Sequence, residues 1–323
     1  MNSNIPITLM SLLTLVTPTV IAQQAVDRIL DSSPTPTISI EHMQGNIDVQ
    51  VWDKAQVQVT GTLGKDAQAL VFTRNGKQIN IEVESEHSNN KWGGWSNNNK
   101  SRDELTVMVP RDSEIDYEAI NGTLNVTQVT QGVSAEVVNG NIIVTDTQGR
   151  HRLTTVNGDI TINNASGPLR LGTVNGDVIA THVGQDDVDL ESVNGELSLI
   201  SESLDVTVET VNARITLDLQ AVSRLYIETV NSRINASLTL LPSGKLSATS
   251  VDANMDFTFQ QDISARFDLE GHAGGRFTNN LTADKVQKDK YGPGRWLNFT
   301  TGEGDAKVDI ETVSGKVTLS SRE

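Results

Sequence analysis

An all-β fold is predicted, a single-domain parallel β-solenoid (β-helix) of about 18 residues per coil with two short strands in each. Three observations predict it: a recurring tripeptide, apolar columns in register with it, and insertions confined to one edge. The tripeptide reads Ile120-Asn121-Gly122, Val138-Asn139-Gly140, Val156-Asn157-Gly158, Val174-Asn175-Gly176 and Val193-Asn194-Gly195. It decays to Val211-Asn212-Ala213, Val230-Asn231-Ser232 and Val251-Asp252-Ala253, and a last copy stands at Val313-Ser314-Gly315. From Ile120 to Val251 the spacings are 18, 18, 18, 19, 18, 19 and 21 residues. A fixed period of that length marks a repeat architecture.

With the first residue of the tripeptide as position zero, the apolar residues fall into columns. Position −5 runs from Ile115 to Val308 and includes His151, and position −3 runs from Tyr117 to Ile310. Position +4 runs from Leu124 to Val317, and position +6 from Val126 to Leu319. Within each strand apolar and polar residues alternate, the period of a strand with one buried face. Each coil is therefore two strands and two turns. Neither strand can bury its face alone, so coils stack at about 4.8 Å into two parallel sheets around a thin aliphatic core. Roughly a dozen coils make a rod on the order of 50–60 Å long, and parallel crossovers favour a right-handed path.

The extra residues of the longer coils all fall between +6 and the next −5, as in Gly184-Gln185-Asp186-Asp187 and Leu241-Pro242-Ser243-Gly244. One edge is thus invariant and the other carries loops. At the invariant corner Asn and Gly both accept the backbone of a tight turn. Asn212 and Asn231 persist where Gly is lost, so the side chain itself is needed. Stacked one coil apart, Asn121, Asn139, Asn157, Asn175, Asn194, Asn212 and Asn231 are expected to form a structural amide ladder.

The flanks are less regular. Ile5–Val20 is apolar and uncharged and ends near Ala22, so residues 1–22 read as a signal peptide cleaved before Gln23. Residues 23–37 read as a linker, and 38–323 as solenoid. Within it, irregular coils span 38–114 with an insertion at 87–104, regular coils span 115–260, a loop covers 271–297, and a closing coil spans 299–323. The expected location is exported, in the periplasm or at the cell surface, with no transmembrane span in the mature chain.

Composition excludes several functions. The 323 residues contain no cysteine, which removes disulfides, thiolate metal sites and cysteine nucleophiles. The net charge of −16 repels phosphates, so nucleic acid is not an expected partner, whereas a cationic partner or bridging divalent cations suit the surface. The five histidines are scattered, and no catalytic, cofactor-binding or metal-binding set is identified. Asp159, Asp177 and Glu196 share position +3 and read as a solvated charged edge, with cation bridging as the alternative. Trp92 and Trp95 are the candidate ligand contacts, since exposed indoles stack on sugars or fill partner pockets.

Several segments resemble a bacterial family of adhesin-like proteins of unknown function with β-strand repeats, the head-GIN-like β-solenoids. They are Val51-Trp52-Asp53, Val57–Gly61, Leu105–Pro110, the serial Val-Asn-Gly-Asp-Ile units, and Gly302–Leu319. The resemblance covers nearly all of the chain after Thr37, and its motifs are structural. It implies a non-catalytic envelope or surface rod with adhesin-like binding or scaffolding, its partner a glycan or an envelope protein. The alternative is a polysaccharide-active β-helix enzyme, a lyase or hydrolase built on Asp186, Asp187, Asp189 and Glu191.

Overall fold

The computed structural model describes residues 24–85 and 102–322, and every regular element in them is a strand. The first end is built from β1 (Gln24–Asp31), β2 (Thr37–Trp52), β3 (Gln56–Leu63), β4 (Ala67–Asn75), β5 (Gln78–Ser85) and β6 (Asp103–Pro110). The regular rod follows as β7 (Glu114–Thr127), β8 (Gly132–Asn139), β9 (Ile142–Thr145), β10 (Arg150–Asn157) and β11 (Ile160–Ser166). It continues through β12 (Leu169–Asn175), β13 (Val178–Val183), β14 (Val188–Ser201) and β15 (Asp205–Phe259), the last passing through three coils. The second end holds β16 (Ala265–Gly271), β17 (Arg276–Asn279), β18 (Gln287–Lys288), β19 (Arg295–Thr301) and β20 (Ala306–Ser321).

Coils stack in parallel and in register, as the periodic columns require. Leu153 pairs with Ala135 on one side and Leu171 on the other; Ile160 pairs with Ile142 and Val178. From Ile115 to Leu319 no side chain at positions −5, −3, +4 or +6 is more than 3% exposed. These four columns fill the space between the two sheets, and stacking buries them.

The invariant corner has two geometries. Between β8 and β13 the ladder stops after the Asn pairs Asn139–Asn157 and Asn157–Asn175 and resumes at position +4. There the glycines approach the coil below closely: a Cβ on Gly158 would lie 2.0 Å from the carbonyl oxygen of Gly140. Between β14 and β15 the ladder runs through the corner without a break, Gly195 pairing with Ala213 and Glu196 with Arg214. In this stretch Ala213 and Ser232 stand where the earlier coils carry glycine. The Ser232 hydroxyl also bonds Thr210 and Thr229 beneath the corner.

Both ends interlock. β2 lies between β7 and the coil made by β5 and β6, so Ile38 pairs with both Ile115 and Ile79, and Ile47 with both Leu124 and Leu105. At the far end β20 lies between the last coil of β15 and β16–β17. Val308 pairs with Leu246 and Phe267, and Val317 with Met255 and Phe277. Antiparallel strands then close the outermost edges: β3 on β6, β4 on β5, and β19 on β16. The Phe267 and Phe299 rings stack 4.4 Å apart at the second end.

Three boundaries differ from those the sequence suggests. Residues 24–31 form β1 against β3, with only Val26 buried, so the weak alternation reads as linker. The final coil is β20 from Ala306, while Phe299 sits in the antiparallel β19. The segment 271–297 carries β17 and β18.

The corner geometry makes a prediction. Gly158→Ala forces a Cβ against a backbone oxygen and is expected to cost about 1–3 kcal/mol. Ala213→Gly, in the uninterrupted corner, should cost less than about 1 kcal/mol. Urea melts of the two variants measure the difference, and a larger loss for Ala213→Gly contradicts the two-geometry account.

Candidate functional site

Alternation that sends −5 and −3 inward sends −2 and 0 outward. The conserved spacing therefore places the first residue of each tripeptide on the solvent face of its sheet. Met43, Ile120, Val138, Val156, Val174, Val193, Val211, Val230, Val251 and Val313 form one axial column, each 38–50% exposed. Exposed apolar side chains in unbroken line are unlike the single scattered apolar residues of ordinary surfaces. Beside them runs the −2 column, in which Glu41, Glu118, Glu136, Glu191, Glu209, Glu228 and Glu311 are exposed. The two columns line a groove of about 1350 Å³ that runs from Glu82, Val83 and Ser85 at one end to Glu311 and Val313 at the other. Thr154, Gly172 and Thr249 interrupt the acidic side, and at Gly172 the wall has no side chain.

Stacking sets like charges one coil apart. Glu82, Glu41, Glu118 and Glu136 are successive register partners. Burial, and then Glu118, Glu82 and Asp116, raise the Glu41 carboxyl above its ordinary value. Among the described residues no ion pair reaches any of those four glutamates. Farther along, Arg170 bonds Glu191 at 2.7 Å, and His272 meets Glu311 at 2.8 Å. On this wall Glu191 and Glu311 have a basic neighbour, whereas Glu82, Glu41, Glu118, Glu136, Glu209 and Glu228 have no ion pair among the described residues.

The asparagine column is exposed and aligned with the rod axis. Asn139 Nδ2 donates to Asn121 Oδ1 at 3.0 Å, Asn157 to Asn139 at 2.9 Å, Asn175 to Asn157 at 3.0 Å, and Asn194 to Asn175 at 3.0 Å. Asn212 donates to Asn194 at 3.4 Å. The +3 column does more than face solvent. Asp159 Oδ1 accepts the backbone N–H of Asp177 at 2.9 Å, and Asp177 Oδ1 accepts that of Glu196 at 2.8 Å. Where the main-chain ladder breaks at the corner, these carboxylates take over the donors the break leaves.

Asp186 and Asp187 are exposed in their loop and outside the groove. The guanidinium of the nearby Arg224 pairs with Asp205 instead. Among the described residues no group of three or more His, Asp or Glu side chains is placed to hold a metal ion. Trp92 and Trp95 lie outside the described residues.

Sequence reasoning overlooked one buried set. His42 Nε2 lies 2.7 Å from the Tyr117 hydroxyl, and its Nδ1 lies 3.6 Å from Asp103 Oδ2. Asp103 Oδ1 accepts the N–H of Gly64 at 2.7 Å. A histidine between a carboxylate and a hydroxyl is the arrangement of an activated nucleophile. Here Tyr117 is 0% exposed and burial raises its hydroxyl, so no substrate reaches it. A Cβ on Gly122 would lie 2.4 Å from that hydroxyl, which shows how tightly the network is enclosed. The trio joins the irregular first coils to the rod.

The Toastrack DUF4097 family model matches residues 36–320, and the chain belongs to that family. No curated protein matches it. A crystal structure of a "putative cell adhesion protein" from Clostridium sporogenes aligns over 93% of this chain and 100% of its own, at 11% identity and a TM-score of 0.25. No helix among the described residues is long and apolar enough to cross a membrane.

Two predictions arise here. His151 occupies the −5 column between Val133 and Leu169, 1% exposed, with Nε2 2.8 Å from the Thr147 hydroxyl. Burial pushes its pKa from 6.5 down to about 4. The unfolded chain then binds a proton that the folded chain refuses, so stability is full above pH 6.5 and falls as pH drops towards 4, by about 3 kcal/mol in all. Burial also lowers His182, in the same direction. His151→Leu should flatten this part of the profile in denaturant melts taken between pH 7 and 4; an unchanged slope contradicts it. For the corner columns, Asn175→Ala should cost about 1 kcal/mol, because its neighbours' amides can turn to water. Asp177→Ala should cost about 1–2 kcal/mol, and Asp177→Asn, which keeps the acceptor, much less. Equal losses for Asp177→Ala and Asp177→Asn would assign the effect to charge and not to the backbone bond.

Proposed function

We propose that this Toastrack rod is a non-catalytic exported protein of the periplasm or cell surface that binds a partner along its axial groove, in adhesin-like fashion. The observation that carries this is the unbroken column of ten exposed aliphatic side chains from Met43 to Val313. Single exposed apolar residues need no explanation, but a contiguous apolar strip with a charged border is the pattern of an interaction surface. Selection for fold alone does not require Val at position zero. The side chain faces water there, and the corner is already served by the Asn and Gly that follow.

Two further features support a binding role over a polysaccharide lyase or hydrolase. The acidic loop at Asp186 and Asp187 is exposed and has no paired basic side chain among the described ion pairs. Among the described residues, the histidine–carboxylate–hydroxyl set at His42, Asp103 and Tyr117 is sealed in the interior. The export signal expected at residues 1–22 would carry such a surface to the envelope.

A photo-cross-linking side chain at Val174, in the groove, should give discrete adducts in the intact envelope of the producing cells. The same group at Ile179 should not, being 52% exposed on the other sheet and outside the groove. Adducts from Ile179 alone, or none from Val156, Val174 or Val193, overturn the groove as the binding face.

A further inference from the structure

The groove also restricts the kind of partner it takes. Its floor is the face of a sheet and not an edge. Along the regular rod each strand there is already paired on both sides, as β10 is with β8 and β12, and β12 is with β10 and β14. An extended peptide cannot add to it as a strand, because the floor offers no free backbone donors or acceptors. A partner that docks against the aliphatic column must satisfy its own backbone, and an α-helix does so within itself.

Spacing selects the same partner. Side chains of the groove repeat every ~4.8 Å along the axis. A helix lying along that axis presents a row every ~5.4 Å, whereas an extended chain repeats its same-face side chains only every ~6.6–6.8 Å. From Met43 to Val313 the column has nine steps, or roughly 43 Å, the length of a helix of about 29 residues.

Charge fixes the remaining property. Glu82, Glu41, Glu118 and Glu136 stack in register with no ion-pair partner among the described residues, and burial, followed by repulsion from Glu118 and Glu82, raises the Glu41 carboxyl. Farther along the same column Glu191 is met by Arg170 from the neighbouring coil. Glu209 and Glu228 also lack an ion pair among the described residues, but at Glu82–Glu136 four such carboxylates follow one another in register.

On the reading of the groove as the binding face, we infer that it receives a basic amphipathic α-helix of a partner protein. An aliphatic stripe of the helix lies on the valine column, and a flanking row of Lys or Arg lies over the glutamate column. The cationic end of the helix sits at the Glu82–Glu136 end, where the carboxylates are unpaired.

The test uses the full chain and a synthetic 28-residue helical peptide with Leu at a and d positions and Lys beside them. Controls are a scrambled peptide of identical composition and a version with Glu in place of Lys. Binding is read by fluorescence anisotropy, with circular dichroism for helix formation. The amphipathic Lys peptide should bind at least ten-fold more tightly than either control and gain helicity on binding. Raising salt from 50 to 300 mM should weaken it. V156K/V193K and E118Q/E136Q should each weaken it at least ten-fold, while I179K/I200K on the other sheet leaves it unchanged. Melts check that each variant is folded, and all the substituted side chains are exposed. Equal binding of the scrambled peptide, or retained affinity in V156K/V193K, overturns the inference. Groove cross-links at Val174 together with failure of the Lys peptide would leave the binding face standing and remove only the helix. Absence of both would remove the two together.

Discussion

A strand of this protein has one apolar face and too few residues to bury it alone, so each coil is folded only against the coil beside it. That dependence forces register. Once Leu153 must lie on Leu171 and Ile160 on Val178, every other residue of the coil is placed too, including those with no part in the core. Each sequence position becomes a column, and its chemistry is repeated every ~4.8 Å whether the column is buried or not. The aliphatic core, the asparagine ladder, the carboxylates at the corner and the two walls of the groove are all products of this one requirement. A globular domain would have to assemble such a surface residue by residue.

Columns also explain why some of this molecule was legible in the sequence and some was not. The period, the inward columns and the fixed corner were readable because repetition averages out local noise: His151 among valines and leucines does not disturb a column of nine. The groove was readable in principle. Counting parity from Leu153 puts Val156 on the outer face, but the tripeptide is easily taken as a turn signal and its first residue as part of the turn. The +3 carboxylates were misjudged for a different reason. Whether Asp177 faces only water or also holds the N–H of Glu196 depends on a break in the main-chain ladder at the corner, and nothing in side-chain periodicity reports such a break. The trio of His42, Asp103 and Tyr117 was out of reach, since Asp103 arrives from a strand whose place in the stack cannot be read from its place in the chain.

Stacking also concentrates charge. A net charge of −16 spread over a sphere is a mild field; arranged in axial columns it becomes lines of like charge at close spacing. The rod tempers this by pairing Arg170, His272 and Arg224 with acidic neighbours, and by using Asp159 and Asp177 as backbone acceptors, where a negative charge strengthens the bond. The uncompensated stretch at Glu82–Glu136 stands out against that background, and it coincides with one end of the aliphatic column.

The interlocked ends bear on how the molecule reaches its native state. Middle coils can add one after another, each meeting a neighbour that is only a turn away in sequence. β20 cannot follow that route, because its place is a slot between the last coil of β15 and β16, and its partners at Lys245–Phe259 precede it by 62 residues. The aromatic end must therefore wait with a gap in it until residue 321 has been made, and closing that gap carries the loop entropy of the whole intervening segment. Once β20 is seated, withdrawing it means breaking two ladders at once and opening the Phe-lined end. Assembly is slow to finish and slower to reverse, so the rod's persistence is a matter of unfolding rate as much as of equilibrium stability.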